Sequence, residues 1–185
     1  MKILIAYATS EGHTRDIART TADRLVDAGH SVELLRVADA GDIFLTRFDG
    51  AIIAAPIHTG HYPKSLARFA EARADDLAAL PTLFMSVSLA AAGHDADDWL
   101  GLERILDDFI TATGWKPGQV AQVAGAYKPS EYDIVRRFLM RRIIAAHEPD
   151  FDLDNDHVYT DWEGLAQTVD SWVNRLKNPQ KVVIG

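Results

Sequence analysis

Lys2-Ile3-Leu4-Ile5-Ala6-Tyr7-Ala8-Thr9-Ser10-Glu11-Gly12-His13-Thr14 is the stretch whose reading decides the fold. After Lys2 it is a short apolar run that stops at polar residues, the pattern of a strand buried on both faces of a parallel sheet. From residue 14 to 28, Ile17, Thr21, Ala22 and Leu25 recur at helical spacing, and Gly29 ends the pattern. A strand that passes through a hydroxyl-rich turn into a helix makes a place for phosphate. A phosphate dianion needs several backbone N–H donors, hydroxyl donors and the positive end of a helix dipole. Thr9, Ser10 and Thr14 supply the hydroxyls, Gly12 lets the backbone approach closely, and the helix starting at His13-Thr14 supplies the dipole. The loop holds neither the Walker lysine nor the three-glycine dinucleotide fingerprint. Taken alone, such a turn also serves as a plain helix cap.

Outward from this loop, strand and helix patterns alternate. Strands are predicted at 31–37, 51–55, 82–88 and 120–126, and helices at 63–74, 99–113 and 161–176, the last capped by Thr160 or Asp161. Five strands interleaved with helices predict an α/β, doubly wound parallel sheet with helices on both faces. Ligands of such sheets sit beyond the carboxyl ends of the strands, where strand order reverses. Residues 1–177 read as one domain and 178–185 as a C-terminal tail. One connection is far too long: 34 residues, 127–160, separate the fifth strand from the last helix, where such loops have roughly 2–6.

Composition narrows the function classes. Hydrophobic residues make up 48% and charged residues 25%, so a packed core is affordable and disorder is not expected. The absence of cysteine removes disulfides, thiolate metal sites and thiol catalysis. A net charge of −8 argues against nucleic acid as a partner. The first strand is too short and its sequel too polar for a secretion signal, and no window approaches ~20 apolar residues. A cytoplasmic protein, soluble or peripheral on the inner face of the cell membrane, is therefore expected. Neither the first nor the third strand ends on an aspartate, which disfavours a phosphoacceptor signalling domain.

Two further loops leave strand ends. Pro56-Ile57-His58-Thr59-Gly60-His61-Tyr62 follows the third strand, and Ser86-Val87-Ser88-Leu89 ends the fourth. Ile57, His58 and Tyr62 are expected as walls for a flat ligand, with Gly60 at the bend. No third ligand accompanies His58 and His61, so no metal is expected there. Asp152, Asp154, Asp156 and Glu163 have the spacing of a calcium loop, but His157 stands where the sharp turn demands glycine.

The hydroxyl-rich loop resembles the phosphate loop of flavodoxins, Thr/Ser-x-Thr-Gly-x-Thr in pattern, with Glu11 replacing the usual central hydroxyl residue. That resemblance implies flavin mononucleotide (FMN) as cofactor and strand order 2-1-3-4-5. It also implies binding residues Thr9, Ser10, Glu11, Gly12, His13 and Thr14 at the phosphate. At the ring it implies Pro56, Ile57, His58, Thr59, Gly60, His61 and Tyr62 on one side, and Ser86, Val87, Ser88 and Leu89 at the pyrimidine edge. Gly60-His61-Tyr62, Ser86-Val87-Ser88-Leu89 and Val158-Tyr159-Thr160-Asp161-Trp162-Glu163 are similar to strings of a narrower family, the quinone-linked protoporphyrinogen IX dehydrogenases. So is the long insertion with its basic, aliphatic segment. This narrower resemblance implies porphyrinogen and quinone as substrates in heme biosynthesis, with a plain electron carrier that has protein redox partners as the rival reading. No catalytic acid or base is assigned; His58, His61 and Tyr62 are nearest by position. Association into a homo-oligomer is left open.

The segment from Ile134 to His147 contains Arg136, Arg137, Arg141 and Arg142 and no acid, in a chain whose acids outnumber its bases 27 to 19. Wound as a helix it shows no broad charge-free apolar face, so a helix packed through ion pairs with the following aspartates competes with a membrane contact. Changing the four arginines to glutamine separates the two. At ~1 kcal/mol per basic residue near an anionic surface, vesicle binding is expected to fall by roughly several hundred-fold, less in high salt. Unchanged vesicle binding by a folded variant removes the membrane contact.

Overall fold

The computed structural model describes residues 1–9, 12–93, 95–127 and 155–178. The predicted strands are present: β1 (Lys2–Tyr7), β2 (Ser31–Arg36), β3 (Gly50–Pro56), β4 (Thr82–Ser88) and β5 (Gln119–Ala124). They form one parallel sheet in the order β2-β1-β3-β4-β5. The sequence expectation of a doubly wound sheet in order 2-1-3-4-5 is met.

The period of two along each strand explains the two cores. Leu4 and Ala6 of β1, Ala8 just after it, Ala51, Ile53 and Ala55 of β3 and Phe84 of β4 face one side. There they meet Leu66, Phe69 and Ala70 of α2 (Lys64–Ala72), Leu77 of α3 (Ala74–Ala78) and Phe109 of α4 (Ala96–Thr113). Ile3, Ile5, Tyr7, Ile52, Ala54, Leu83, Met85 and Val87 face the other side. They pack on Ile17, Ala22 and Leu25 of α1 (His13–Asp27) and on Leu165, Val169, Trp172 and Val173 of α5 (Trp162–Lys177). Every residue of β3 and β4 is buried.

Several boundaries differ from the sequence reading. The helix expected at 63–74 is two helices, with Pro63 as N-cap of α2 and a break at Arg73 (φ −125). Arg73 turns away to reach the Gly41 carbonyl and Asp76, contacts that no local pattern announces. α4 starts three residues early because Asp95 caps it, accepting from the Asp97 amide at 2.8 Å. The fifth strand stops at Ala124. Ala126–Tyr127 (β6) then pairs antiparallel with His157–Val158 (β7), bringing the two ends of the long insertion together. The arginine segment and Asp152 and Asp154 lie outside the described residues.

α5 is fastened at its middle and near its C-terminus. The Arg24 guanidinium of α1 grips Asp170 with two hydrogen bonds, Nε to Oδ1 at 2.8 Å, which hold the Asp170 carboxyl below its usual range. Arg175 reaches Gln119 at the start of β5. α5 also crosses β3 where no side chain fits: a Cβ on Gly50 would stand 2.9 Å from Leu176 Cδ1 and 2.9 Å from Trp172 Cη2. Trp172 is buried and has little room to move. Gly50→Ala is therefore expected to overpack this contact and lower stability by about 1–3 kcal/mol, read as a reduced urea midpoint with unchanged cooperativity. A midpoint within error of the parent's would show that α5 yields freely.

Candidate functional site

The carboxyl ends of β1 and β3 lie side by side, and the order reverses between them, since the chain goes from β1 outward to β2 and returns past β1 to β3. The turn after β1 leaves this point. Ala8 extends the ladder by donating to Ala54 O at 2.9 Å. Gly12 is the N-cap of α1 at φ 86, a left-handed conformation that costs glycine little, and its N–H donates to Thr9 Oγ1 at 2.9 Å. Among the described residues no side chain caps α1, and its first intrahelical bond is Asp16 N to Gly12 O at 3.1 Å. The first-turn N–H groups of a helix have no intrahelical partner, and at the positive end of this 15-residue helix they stand where an anion is favoured. Thr14 is buried beneath them and the exposed Arg15 stands beside Gly12. Arg15 went unremarked in the sequence; its signal was its place three residues after the glycine. Ser10 and Glu11 lie outside the described residues.

Across the switch point, the segment after β3 folds back as a tight hairpin. His58 and His61 exchange both backbone hydrogen bonds, at 2.9 and 3.0 Å. The two residues between them, Thr59 at φ 48 and Gly60 at φ 79, are both left-handed, as a type I′ turn requires. Gly60 supplies the expected bend. Thr59, branched at Cβ, is strained there, and its hydroxyl donates to His58 O at 2.8 Å. Ile57 donates its N–H to Val87 O at 2.8 Å, which ties the hairpin to β4. Ile57 and His58 are half-buried and His61 is exposed.

Tyr62 does not. Expected as a wall, it is 8% exposed and packs its ring on Phe84 and Phe109 at 5.1 and 5.0 Å. Its hydroxyl donates to Ser86 Oγ at 2.9 Å. Burial pushes the phenol up to about 12, with the Ser86 hydrogen bond opposing. Tyr62 therefore holds its proton near neutrality and supports the hairpin from below. Ser86 is correspondingly fully buried, and Val87 nearly so. At the end of β4, Ser88 Oγ accepts from Ala91 N at 3.1 Å, and Leu89 begins the turn that leads to Gly93. Trp99, 39% exposed, is pinned to that turn by its indole N–H on Gly93 O at 3.0 Å.

The last strand end belongs to the long connection. Of the two candidate caps for α5, Asp161 takes the role, accepting from Gly164 N at 2.9 Å. Thr160 is buried and bonds instead to Ala124 O and His13, both at 2.7 Å. Sequence reading missed this role because the partner is 147 positions away. Among the described residues no cluster of His, Asp and Glu could hold a metal ion, and no helix is long and apolar enough to cross a membrane.

A parallel sheet with an uncapped helix N-terminus at its switch point defines a doubly wound α/β protein built to hold a phosphorylated ligand. The chain belongs to the flavodoxin-domain family, whose model matches residues 4–154, and the cofactor that goes with that family is FMN. It is 30% identical over 166 residues to the protoporphyrinogen IX dehydrogenase [quinone] of Escherichia coli strain K12, covering 90% of this chain and 91% of that protein. Among solved structures it is similar to a short-chain flavodoxin associated with a bacterial microcompartment (TM-score 0.58, 15% identity, 95% of this chain and 99% of that one). It is also similar to a flavodoxin variant of Fusobacterium nucleatum bound to FMN (TM-score 0.51, 14% identity, 96% of each chain).

The raised Tyr62 phenol has a testable sign. Folding favours its neutral form, so its contribution is complete below pH 10 and is lost as pH rises toward about 12. Tyr62→Phe is expected to cost about 0.5–1.5 kcal/mol at neutral pH and to flatten the decline of stability in that alkaline window. Denaturation at neutral and alkaline pH checks both; parallel declines in parent and variant would assign the alkaline loss elsewhere.

Proposed function

We propose that this protein is an FMN-dependent oxidoreductase that takes hydrogen from a porphyrinogen and passes the electrons to a quinone. The observation that carries the FMN part is the uncapped N-terminus of α1 behind Gly12, facing the 57–62 hairpin across the switch point. The residues fit the group. First-turn N–H donors, Thr9, Thr14 and Arg15 suit a phosphate, while Ile57 and His58 on a rigid hairpin and the turn after Ser88 suit the two sides of a planar ring. The porphyrinogen and quinone part is supported by the name and length-wide similarity of the Escherichia coli relative.

The bound flavin supplies hydride and electron chemistry, and the protein supplies position and electrostatics. The parallel strands fix where each loop starts. The type I′ hairpin holds His58 and His61 at the rim, Tyr62 holds the hairpin to β4, and Ser88 holds the turn that ends at Trp99. Tyr62 keeps its proton, and His58 and His61 are the imidazoles that the hairpin carries. In balance, each two-electron oxidation removes a hydride equivalent and a proton from the porphyrinogen, and the quinone leaves as quinol. Access to quinone fits a protein that works peripherally on the inner membrane face. The carrier reading has one observation in its favour: α4 bears Asp97, Asp98, Glu103, Asp107 and Asp108 against Arg104, a surface for basic partners.

The purified protein is expected to be yellow with one FMN per chain, released by denaturation as the mononucleotide. Thr14→Val is expected to weaken FMN binding by about 1.5–3 kcal/mol, the worth of a hydrogen bond to a charged group. Turnover of a porphyrinogen with a water-soluble quinone then separates enzyme from carrier. A yellow protein that oxidises no porphyrinogen with any quinone is a carrier.

A further inference from the structure

The string Tyr159-Thr160-Asp161-Trp162 lies between β7 and α5, and each of its residues fastens a different neighbour. Tyr159 N donates to Gly125 O at 3.0 Å, and Gly125 N to Ser88 O at 2.9 Å, continuing the rungs of the sheet to the end of β4. Asp161 caps α5. Trp162 meets the His13 ring edge-on at 6.0 Å. Thr160, buried in this turn, has a single hydroxyl hydrogen. Its oxygen is 2.7 Å from the carbonyl of Ala124, the last residue of β5, and 2.7 Å from His13 Nε2. A carbonyl can only accept, so the Thr160 hydrogen goes there. The ring must then donate, with its hydrogen on Nε2. The relay reads His13 Nε2–H to Thr160 Oγ1 to Ala124 O.

His13 is the first residue of α1, directly after Gly12. Its backbone belongs to the turn that faces the proposed phosphate, while its ring reaches sideways into the fold. An ordinary N-cap would hold this first turn by covering its N–H groups with a side-chain oxygen. Such a cap would compete with a phosphate for the same donors. Gly12, the N-cap of α1, has no side chain to give and is the most conformationally permissive residue available. The Thr160–His13 contact holds the first turn from the side without using its backbone N–H groups.

We infer that Thr160 is a positioning residue for the phosphate site: through the His13 ring it locks the N-terminus of α1 to the end of β5, an anchor that the N-cap Gly12 cannot itself give, and couples cofactor binding to the base of the long insertion. This rests on the FMN reading. The role differs from general stability because it acts on the phosphate end of the ligand alone. In the FMN reading, the turns after β3 and β4 would hold the isoalloxazine ring, away from the His13–Thr160 contact.

The experiment compares FMN with riboflavin, the same ring without the phosphate. Thr160→Val keeps the shape and removes the hydroxyl. FMN is expected to bind roughly ten-fold more weakly, the size of a lost helix cap, while riboflavin affinity stays the same. Thr160→Ser restores FMN affinity. His13→Leu gives a second route if the valine variant does not fold, because it removes the donor and leaves Thr160 bonded to Ala124 O. It is expected to show the same selective loss. Equal losses for both flavins reduce the relay to a structural contact, and unchanged FMN affinity in both variants overturns the inference. A parent protein that binds FMN no better than riboflavin would instead sink the phosphate assignment beneath it.

Discussion

A parallel strand hydrogen-bonded on both edges and covered on both faces can place polar side chains only at its ends. β1 is such a strand. β2 and β3 pair with it from either side, Leu4 and Ala6 point into one core, and Ile3 and Ile5 point into the other. β3 and β4 repeat the condition. Every group able to touch a polar ligand is thereby pushed into the turns after Ala8, Pro56 and Ser88. The order of strands places those three turns next to one another. The site exists because the core leaves no other room for it.

The same constraint explains how legible each part was. Strands buried on both faces announce themselves as unbroken apolar runs, and β1, β3 and β4 needed nothing else. The phosphate turn was legible because its chemistry is local: hydroxyls, a glycine and a helix start within six residues. Tyr62 was not, since wall and core residue look alike in sequence, and its place depends on Phe84, Phe109 and Ser86, all distant along the chain. The break in the helix at 63–74 was hidden for a related reason. Residues 72–75 are all compatible with helix, and the break follows from where Arg73 finds partners. Thr160 and Asp161 are both good caps by type. Only the carbonyl of Ala124 and the ring of His13 decide which of them takes the role.

What sets this chain apart from a minimal doubly wound fold is concentrated where β5 ends. In a minimal doubly wound fold the chain would pass from β5 into the last helix through a few residues. Here β6 and β7 close the two ends of a 34-residue insertion against each other, and the returning strand lands on Gly125 and Thr160. An insertion entered and left through a paired ribbon can vary in sequence without disturbing the sheet, because its ends are fixed by backbone bonds. Thr160 touches the first residue of α1. In this geometry the C-terminal end of the insertion and the turn that would hold the phosphate are joined by one hydrogen bond, from the His13 ring to Thr160, so the return of the insertion and the entry to α1 are set together.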